Sequence, residues 1–233
     1  MFCHSAGRRL LFHMPSFALF LARFLKSPKQ VASIIPSSAM MVRRVSDKMN
    51  LARPCVVAEY GPGEGVHTRE MLKRSHPESK FLLFELDAEF CRDLERQFAD
   101  DARVTVIQGD CATLPQELAK QNLSHCDYVL SGIPFSTMDL SKKKQILRNT
   151  YDSIVPGGAF VIYQVTNELR RHATPDIFPR ADSEYFLQNI PPMFITVFHK
   201  DAAPVAREPV ANKNGQSSRP AKSRPLAADR ARR

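Results

Sequence analysis

The fold is decided by residues 55–65, which read CVVAEYGPGEG. The apolar run Cys55–Glu59 predicts a short strand, and glycines follow it at positions 61, 63 and 65. A glycine lets the backbone pass close to a ligand where a Cβ would collide. The turn after the first strand of an α/β sheet also lies at the edge where ligands bind. This stretch therefore predicts the first strand and the ligand-binding turn of an α/β domain.

Predicted strands and helices alternate after this turn. The predicted strands are Lys80–Glu85, Arg103–Ile107, Asp127–Leu130, Ala159–Val165 and Met193–His199. The predicted helices are a first one at about Ser37–Asn50, capped by Ser37 or Ser38, and then Val66–Arg74, Asp87–Phe98 and Lys142–Ile154. Such alternation implies right-handed crossovers and a parallel sheet covered on both faces. The last strand, Met193–His199, is expected to run antiparallel beside Ala159–Val165.

Three acids accompany the turn and the next two strand ends. Glu59 ends the first strand, Glu85 ends the second about 20 residues after the glycines, and Asp110 follows the third. A carboxylate at the second strand end can accept both ribose hydroxyls of a nucleoside, and Asp110 can accept a hydrogen bond from an adenine amino group. Glu64 stands inside the turn, where it would repel the pyrophosphate of a dinucleotide. The pattern therefore indicates S-adenosylmethionine, a cationic nucleoside with an amino-acid tail, rather than NAD.

The net charge of +9 is distributed unevenly along the 233 residues. Residues 1–53 carry nine Lys and Arg against one Asp, and residues 203–233 carry eight against two acids. Residues 54–202 carry sixteen Lys and Arg against twenty-one acids. A mildly acidic domain with two basic ends suits a protein drawn to an anionic surface, either a membrane leaflet or RNA.

The N-terminal region divides into two parts. Residues 1–15 are an extension of uncertain role. Arg8 and Arg9 precede an apolar Leu-Leu-Phe, as in a signal peptide. No cleavage pattern follows, so export is not expected. From Ser16 to Lys26 apolar residues recur at helical spacing. This helix could pack on the domain or lie in a membrane surface, and its basic flank favours the membrane. Residues 16–53 are therefore expected to cap the cofactor site and to contact an anionic membrane.

Composition indicates a cytosolic protein without a membrane span. No apolar run reaches ~18 residues, so no transmembrane helix is predicted. The five cysteines include no CxxC pair and indicate reduced, buried thiols, and no metal site is expected. Residues 203–233 are rich in Pro, Arg, Ala and Ser and are expected to form a disordered basic tail.

The fourth predicted strand ends in Ser131-Gly132-Ile133-Pro134-Phe135. Together with Glu59-x-Gly61-x-Gly63-x-Gly65, Glu85 and Asp110, this motif resembles the bacterial phospholipid N-methyltransferases. Those enzymes methylate phosphatidylethanolamine, close relatives act on ornithine lipid, and both groups are related to the rRNA adenine dimethyltransferases. The segments SPKQ at 27–30, IPSS at 35–38, PGG at 156–158 and NIPP at 189–192 are similar to the same family. The resemblance covers roughly residues 26–200.

This resemblance implies a Rossmann-like, S-adenosylmethionine-dependent methyltransferase fold. Residues 54–202 would form a mostly parallel seven-stranded sheet flanked by helices, with amphipathic helices before it. The cofactor would leave as S-adenosylhomocysteine. The residues implied to bind it are Gln30, Glu59, Tyr60, Gly61, Gly63, Gly65, Glu85, Leu86, Asp110, Cys111 and Ser131.

The first and last residues of the motif bear on the substrate. In the rRNA enzymes the motif begins with Asn, which orients the adenine amino group, and ends in an aromatic that stacks on the flipped base. This chain has the shorter Ser131 and keeps an aromatic, Phe135. Ser131, Tyr163 and Phe135 are the expected catalytic residues, with the aromatic rings holding a methylated cation. Ser131 as a small residue beside the cofactor and Phe135 as a core side chain remain open alternatives.

The expected activity is methylation of the amine of a membrane aminolipid, either phosphatidylethanolamine on the way to phosphatidylcholine or ornithine lipid. The substrate amine has to lose a proton before it can be methylated. Tyr60 and His172 are further candidates for the general base that removes this proton. The alternatives are an rRNA adenine N6-methyltransferase and a non-catalytic, membrane-associated cofactor-binding module. No specific nucleic acid partner is expected, and the expected location is the cytoplasm, peripheral on the inner leaflet of the cytoplasmic membrane.

Overall fold

The computed structural model describes residues 38–201 except residues 174 and 190. The predictions for the extension 1–15, the helix Ser16–Lys26, the cofactor residue Gln30 and the tail 203–233 lie outside the described residues. Within the described part, no helix is both long and apolar enough to cross a membrane.

A seven-stranded sheet forms the centre of the domain, with strand order β3-β2-β1-β4-β5-β7-β6. The strands are β1 (Val56–Tyr60), β2 (Lys80–Glu85), β3 (Val104–Gln108), β4 (Cys126–Ser131), β5 (Ile154–Gln164), β6 (Arg180–Phe186) and β7 (Met193–His199). The first five strands pair in parallel, whereas β7 is antiparallel to both β5 and β6. The predicted mostly parallel α/β fold and the antiparallel last strand are confirmed.

The helices of the described part are α1 (Ala39–Ser46), α2 (Val66–Arg74), α3 (Ala88–Gln97), α4 (Leu114–Lys120), α5 (Leu140–Ser153) and α6 (Leu169–Ala173). Those from α2 to α5 connect the parallel strands, whereas α1 precedes β1 and α6 follows β5. Local sequence sets where they begin: the Asp87 carboxylate accepts hydrogen bonds from the Glu89 and Phe90 amides and caps α3, as expected from the sequence. Ser38 caps α1 in the same way, through the Met41 amide.

The core lies on both faces of the sheet. Successive residues of β2 alternate between the two faces, with Phe81 and Leu83 in one buried cluster and Leu82 and Phe84 in the other. A strand buried on both faces carries a continuous apolar run, which explains the sequence KFLLFE. Each such side chain contributes roughly 1.5–3 kcal/mol on full burial.

Several elements differ from the sequence prediction. The strand β6, which reads RADSEYF, was not expected, because its charged residues are those of an exposed sheet edge and not of a buried strand. The strand β5 begins at Ile154 and includes the Pro-Gly-Gly turn, while α1 ends at Ser46, four residues earlier than expected. The short helices α4 and α6 were also not predicted.

The register brings the carboxyl ends of the strands together. Tyr60 at the end of β1 pairs with Phe84 of β2 on one side and with Ser131 of β4 on the other, and Glu85 pairs with Gln108 of β3. Since the strand order reverses between β1 and β4, this edge contains the switch point where α/β proteins bind ligands.

Candidate active site

The turn after β1 combines tight packing with open space. Gly61, Gly63 and Gly65 have φ values of +67°, +53° and +71°, which L-residues rarely adopt. A Cβ at Gly61 would lie 2.7 Å from Ile133 Cγ2, and one at Gly65 would lie 3.0 Å from Leu94 Cδ2. At Gly63 a Cβ would meet no described atom within 4 Å. The outer glycines therefore allow close packing, and the middle one borders the space available to a ligand.

The carboxylate of Glu85 joins the end of β2 to this turn. Its Oε2 accepts a hydrogen bond from the Gly63 amide at 3.1 Å, and its Oε1 accepts from the amides of Leu86 and Asp87 at 2.8 and 3.1 Å. A carboxylate has about four acceptor positions, so a ribose hydroxyl can add to this set or replace a member of it. The neighbouring Leu86 side chain is 72% exposed and offers an apolar surface to an adenine ring.

Asp110, after β3, makes two contacts. Its Oδ1 accepts from the Ala112 amide at 2.8 Å, and its Oδ2 forms an ion pair with Lys142 of α5. Partial burial raises the pKa of Asp110, but the hydrogen bonds from Lys142 and Ala112 outweigh it and hold the pKa below its usual value. Lys142 was not singled out in the sequence, because its partner lies 32 positions away.

The buried acid Glu59 has an altered pKa. It is 1% exposed, and its Oε2 accepts a hydrogen bond from Thr68 Oγ1 at 2.6 Å. Burial raises the pKa of Glu59 to about 7, against the lowering effect of Thr68, and the negative charge of Glu85 adds to the rise. A nearby cation would therefore ionise Glu59 at neutral pH, as suits a positively charged ligand.

The segment after β4 contacts the end of β5. Ser131 is fully buried, and its Oγ accepts from the Ile133 amide at 3.3 Å. A Cβ at Gly132 would overlap the Tyr163 hydroxyl, and Gln164 Nε2 donates to the Ile133 carbonyl at 2.9 Å. Ser131 and Tyr163, both expected in the site, are thus brought to the same edge. Burial raises the pKa of Tyr163, so its hydroxyl stays protonated.

Three predicted residues have buried side chains, namely Phe135, Tyr60 and Cys111. Phe135 is 1% exposed and packs edge-to-face on Phe160 at a centroid distance of 6.2 Å, because a 3₁₀ turn at Phe135–Thr137 directs its ring into the core. This placement agrees with the core alternative for Phe135, and its contact with substrate stays a prediction. The Tyr60 side chain is also buried, with its hydroxyl 3.0 Å from Thr150 Oγ1, so this hydroxyl is unsuitable as a base. Only the main chain of Tyr60 is left to contact the cofactor. Burial raises the pKa of the Cys111 thiol to about 12.

His67 is a buried residue near the glycine turn that the sequence pattern did not single out. It lies two positions after Gly65, is 4% exposed, and stacks on Tyr163 with ring centroids 4.5 Å apart and an interplanar angle of 26°. Neither ring nitrogen has a hydrogen-bond partner among the described residues. Burial lowers the pKa of His67 to about 4, so the ring is neutral at physiological pH.

A cavity of about 650 Å³ lies just beyond β5. Its lining includes Thr166, Asn167, Glu168, Arg170 and Arg171. The candidate base His172 lies in the same helix, α6, with its Nε2 3.4 Å from Glu168 Oε1. Within residues 38–201 no group of three or more His, Cys, Asp or Glu could hold a metal ion, and the described cysteines are free and buried.

These residues fit S-adenosylmethionine. The open space at Gly63, the carboxylates of Glu85 and Asp110 at consecutive strand ends and the apolar Leu86 suit an adenosine. The buried acid Glu59 suits the positive charge of the amino-acid tail or sulfonium.

Comparisons with known proteins agree with this geometry. The family model "Ribosomal RNA adenine dimethylase" matches residues 22–138. Ornithine lipid N-methyltransferase of Singulisphaera acidiphila is 31% identical over 147 residues, which are 63% of this chain and 77% of that protein. A probable ribosomal RNA small subunit methyltransferase A of Methanospirillum hungatei is 31% identical over 113 residues, 46% of this chain and 42% of that protein.

The solved structures show the same fold. A Burkholderia thailandensis 1,6-didemethyltoxoflavin N1-methyltransferase, solved with S-adenosylhomocysteine, has a TM-score of 0.57 at 17% identity and covers 79% of this chain and 88% of its own. With the family model spanning half of the sequence and the glycine turn and strand-end acids in place, this chain belongs to the ribosomal RNA adenine dimethylase family and is an S-adenosylmethionine-dependent methyltransferase.

Proposed function

We propose that the chain methylates the amine of a membrane aminolipid, either phosphatidylethanolamine and its methylated derivatives or ornithine lipid. The observation that carries this proposal is its similarity to an ornithine lipid N-methyltransferase over 77% of that protein's length. The rRNA methyltransferase of Methanospirillum hungatei is matched over only 42% of its length.

The burial of Phe135 supports a lipid amine over a nucleobase. An enzyme that acts on a flipped base needs an exposed aromatic ring at this end of the motif for stacking. Phe135 is 1% exposed and packed against Phe160, so it offers no such surface. A primary amine on a flexible headgroup needs hydrogen-bond acceptors instead, and the hydroxyl of the partly buried Tyr163 is the candidate for that contact.

The substrate amine has to reach the site with a free lone pair. Its pKa resembles that of Lys, near ~10, so about one molecule in 10³ is neutral at pH 7 and deprotonation costs about 4 kcal/mol. The bound cofactor supplies a methyl group on a positively charged sulfur. Buried hydroxyls such as that of Tyr163 orient the amine without stabilising its charged form as a carboxylate would, and desolvation lowers the amine pKa further. Holding amine and methyl donor in line contributes most of the remaining rate.

The cavity beyond β5 fits the rest of the headgroup. Arg171 lines it, and Glu168 in the same lining is paired with Lys143 and His172. An aminolipid carries an anion close to its amine, a phosphodiester in phosphatidylethanolamine or a carboxylate in ornithine lipid. Arginine side chains bind either anion well.

Access to the substrate requires binding at the membrane surface. Acyl chains leave a bilayer at a cost of about 0.8 kcal/mol per CH₂, so the protein has to come to the lipid. The basic residues 1–53 and the amphipathic helix Ser16–Lys26 are proposed to hold it on the inner leaflet. The tail 203–233 would add nonspecific attraction there.

The test is to follow radiolabelled methyl groups from S-adenosylmethionine into phosphatidylethanolamine vesicles, ornithine-lipid vesicles and, separately, rRNA. Label is expected in one of the lipids, and Glu85→Ala should remove it by weakening cofactor binding. Label in rRNA alone would replace this proposal with the rRNA adenine N6-methyltransferase that the family model favours. Cofactor binding without label in any fraction would indicate a non-catalytic module.

A further inference from the structure

His67 is a buried polar side chain to which the proposed reaction assigns no role. Both of its ring nitrogens lack a partner within the described residues, although the ring is 4% exposed. A neutral imidazole carries one N–H donor and one acceptor nitrogen. Buried polar groups in native proteins almost always have partners, because an unpaired one costs free energy. The partner of His67 is therefore expected to be a bound molecule or a part of the chain outside residues 38–201.

The position of His67 indicates a bound molecule at the reacting edge. The imidazole stacks on the ring of Tyr163 at 4.5 Å, and the Tyr163 hydroxyl lies directly against Gly132 of the Ser-Gly-Ile-Pro motif. His67 also follows the glycine turn, whose middle residue Gly63 borders open space. One continuous set of contacts thus connects the imidazole to the end of β4, which pairs with the end of β1 beside the glycine turn that would hold the cofactor.

We propose that His67 and Tyr163 form one wall of the substrate-amine subsite, in which the imidazole of His67 accepts a hydrogen bond from the amine that is methylated. This inference rests on the proposed aminolipid activity. Neutral acceptors suit the chemistry, because they fix the direction of the amine N–H without favouring the ammonium form. Glu59, whose negative charge acts on Tyr163, is instead hydrogen-bonded to Thr68.

The primary test compares His67→Phe with a matched change outside the site. His67→Phe keeps an aromatic ring against Tyr163 and removes both nitrogens, while His125→Phe makes the same change at an exposed residue just before β4. His67→Phe should lower kcat/KM for the aminolipid at least tenfold, with S-adenosylmethionine affinity and Tm close to wild type. His125→Phe should match wild type in all three. Full activity of His67→Phe would overturn the inference and leave His67 as a packing residue.

A binding measurement tests the same contact without turnover. In protein with ¹⁵N-labelled histidine, the ring resonances of His67, assigned by their loss in His67→Phe, should shift when lysophosphatidylethanolamine is added. Lysophosphatidylglycerol, which has no amine, should leave them in place. Equal responses to both lipids, or no response to either, would mean that His67 does not contact the amine and would overturn the inference.

Different results would contradict the aminolipid activity and the role of His67. A wild-type protein that puts no label into either lipid contradicts the aminolipid activity. A wild-type protein that labels lipid while His67→Phe is equally active contradicts only the role of His67.

Discussion

Replacement of Glu59 by Gln should stabilise the cofactor-free protein, and by an amount that depends on pH. Burial raises the pKa of Glu59 from 4.5 to about 7, so between about pH 4.5 and pH 7 the folded protein holds a proton that the unfolded chain has lost. Stability from this group is therefore full below about pH 4.5 and is lost as pH rises to 7. At ~1.36 kcal/mol per unit the whole loss is about 3 kcal/mol, most of which develops between pH 5 and pH 8.

Gln cannot ionise and its side-chain oxygen can still accept the hydrogen bond from Thr68. Urea unfolding of wild type and Glu59→Gln at pH 5 and pH 8 should therefore show a stability difference that moves by roughly 2–3 kcal/mol in favour of the variant at pH 8. Glu64→Gln, at an exposed acid of the same turn, is the control and should show no such trend. An equal effect of Glu59→Gln at both pH values would mean that Glu59 is ionised throughout, and the reasoning from burial would be refuted.

The same acid should respond to the cofactor. A bound cation favours the ionised form, so cofactor binding near pH 6 should release a proton from wild type and not from Glu59→Gln. Titration calorimetry in buffers of different ionisation enthalpy measures this release. The variant should also bind S-adenosylmethionine more weakly, so stability and affinity would change in opposite directions.

Three further predictions concern other parts of the molecule. Gly63→Ala should weaken S-adenosylmethionine binding at least tenfold in calorimetry, because it puts a side chain at a φ of +53° into the ligand space. The control Gly109→Ala should change the affinity little, because its Cβ would lie 3.9 Å from Ile107 Cγ2, an ordinary contact. Phe135→Ala should lower the free energy of unfolding, measured with urea, by about 3–5 kcal/mol and leave cofactor affinity unchanged. A sharp fall in the cofactor affinity of the folded variant would instead place the Phe135 ring in the site. Deletion of residues 1–26 should abolish co-sedimentation with anionic vesicles at unchanged cofactor affinity, and unchanged co-sedimentation would contradict the proposed membrane contact.

The parallel part of the fold could be predicted because its signals are local. The glycine turn, the apolar run of β2 and the Asp87 cap of α3 each lie within a few residues of one another. The strand β6 gave no such signal, because it is an edge strand whose charged side chains face solvent and pair with distant residues, as Glu184 does with Arg44. Its existence follows from pairing with β7, which is a tertiary contact.

The site could be predicted only to the level of which strand ends carry it. The sequence positions of Glu85 and Asp110 after predicted strands are enough to place both acids at the sheet edge. Their partners, the Gly63 amide and Lys142, come from other elements and could not be predicted. Stacking of His67 on Tyr163 joins residues 96 positions apart, and helical periodicity gives no sign of it. The direction of the Phe135 ring depends on one 3₁₀ turn, so the motif alone left two alternatives.

The hydrogen bond from the Gly63 amide to Glu85 has a consequence for the speed of cofactor capture. With β2 and the glycine turn already joined in the cofactor-free protein, the turn does not have to be ordered when S-adenosylmethionine arrives. A preformed receptor loses little conformational entropy on association, so the encounter should follow diffusion rather than a slow rearrangement. Glu85→Ala should therefore lower the association rate as well as the lifetime of the complex, a signature that loss of a ribose contact alone would not produce.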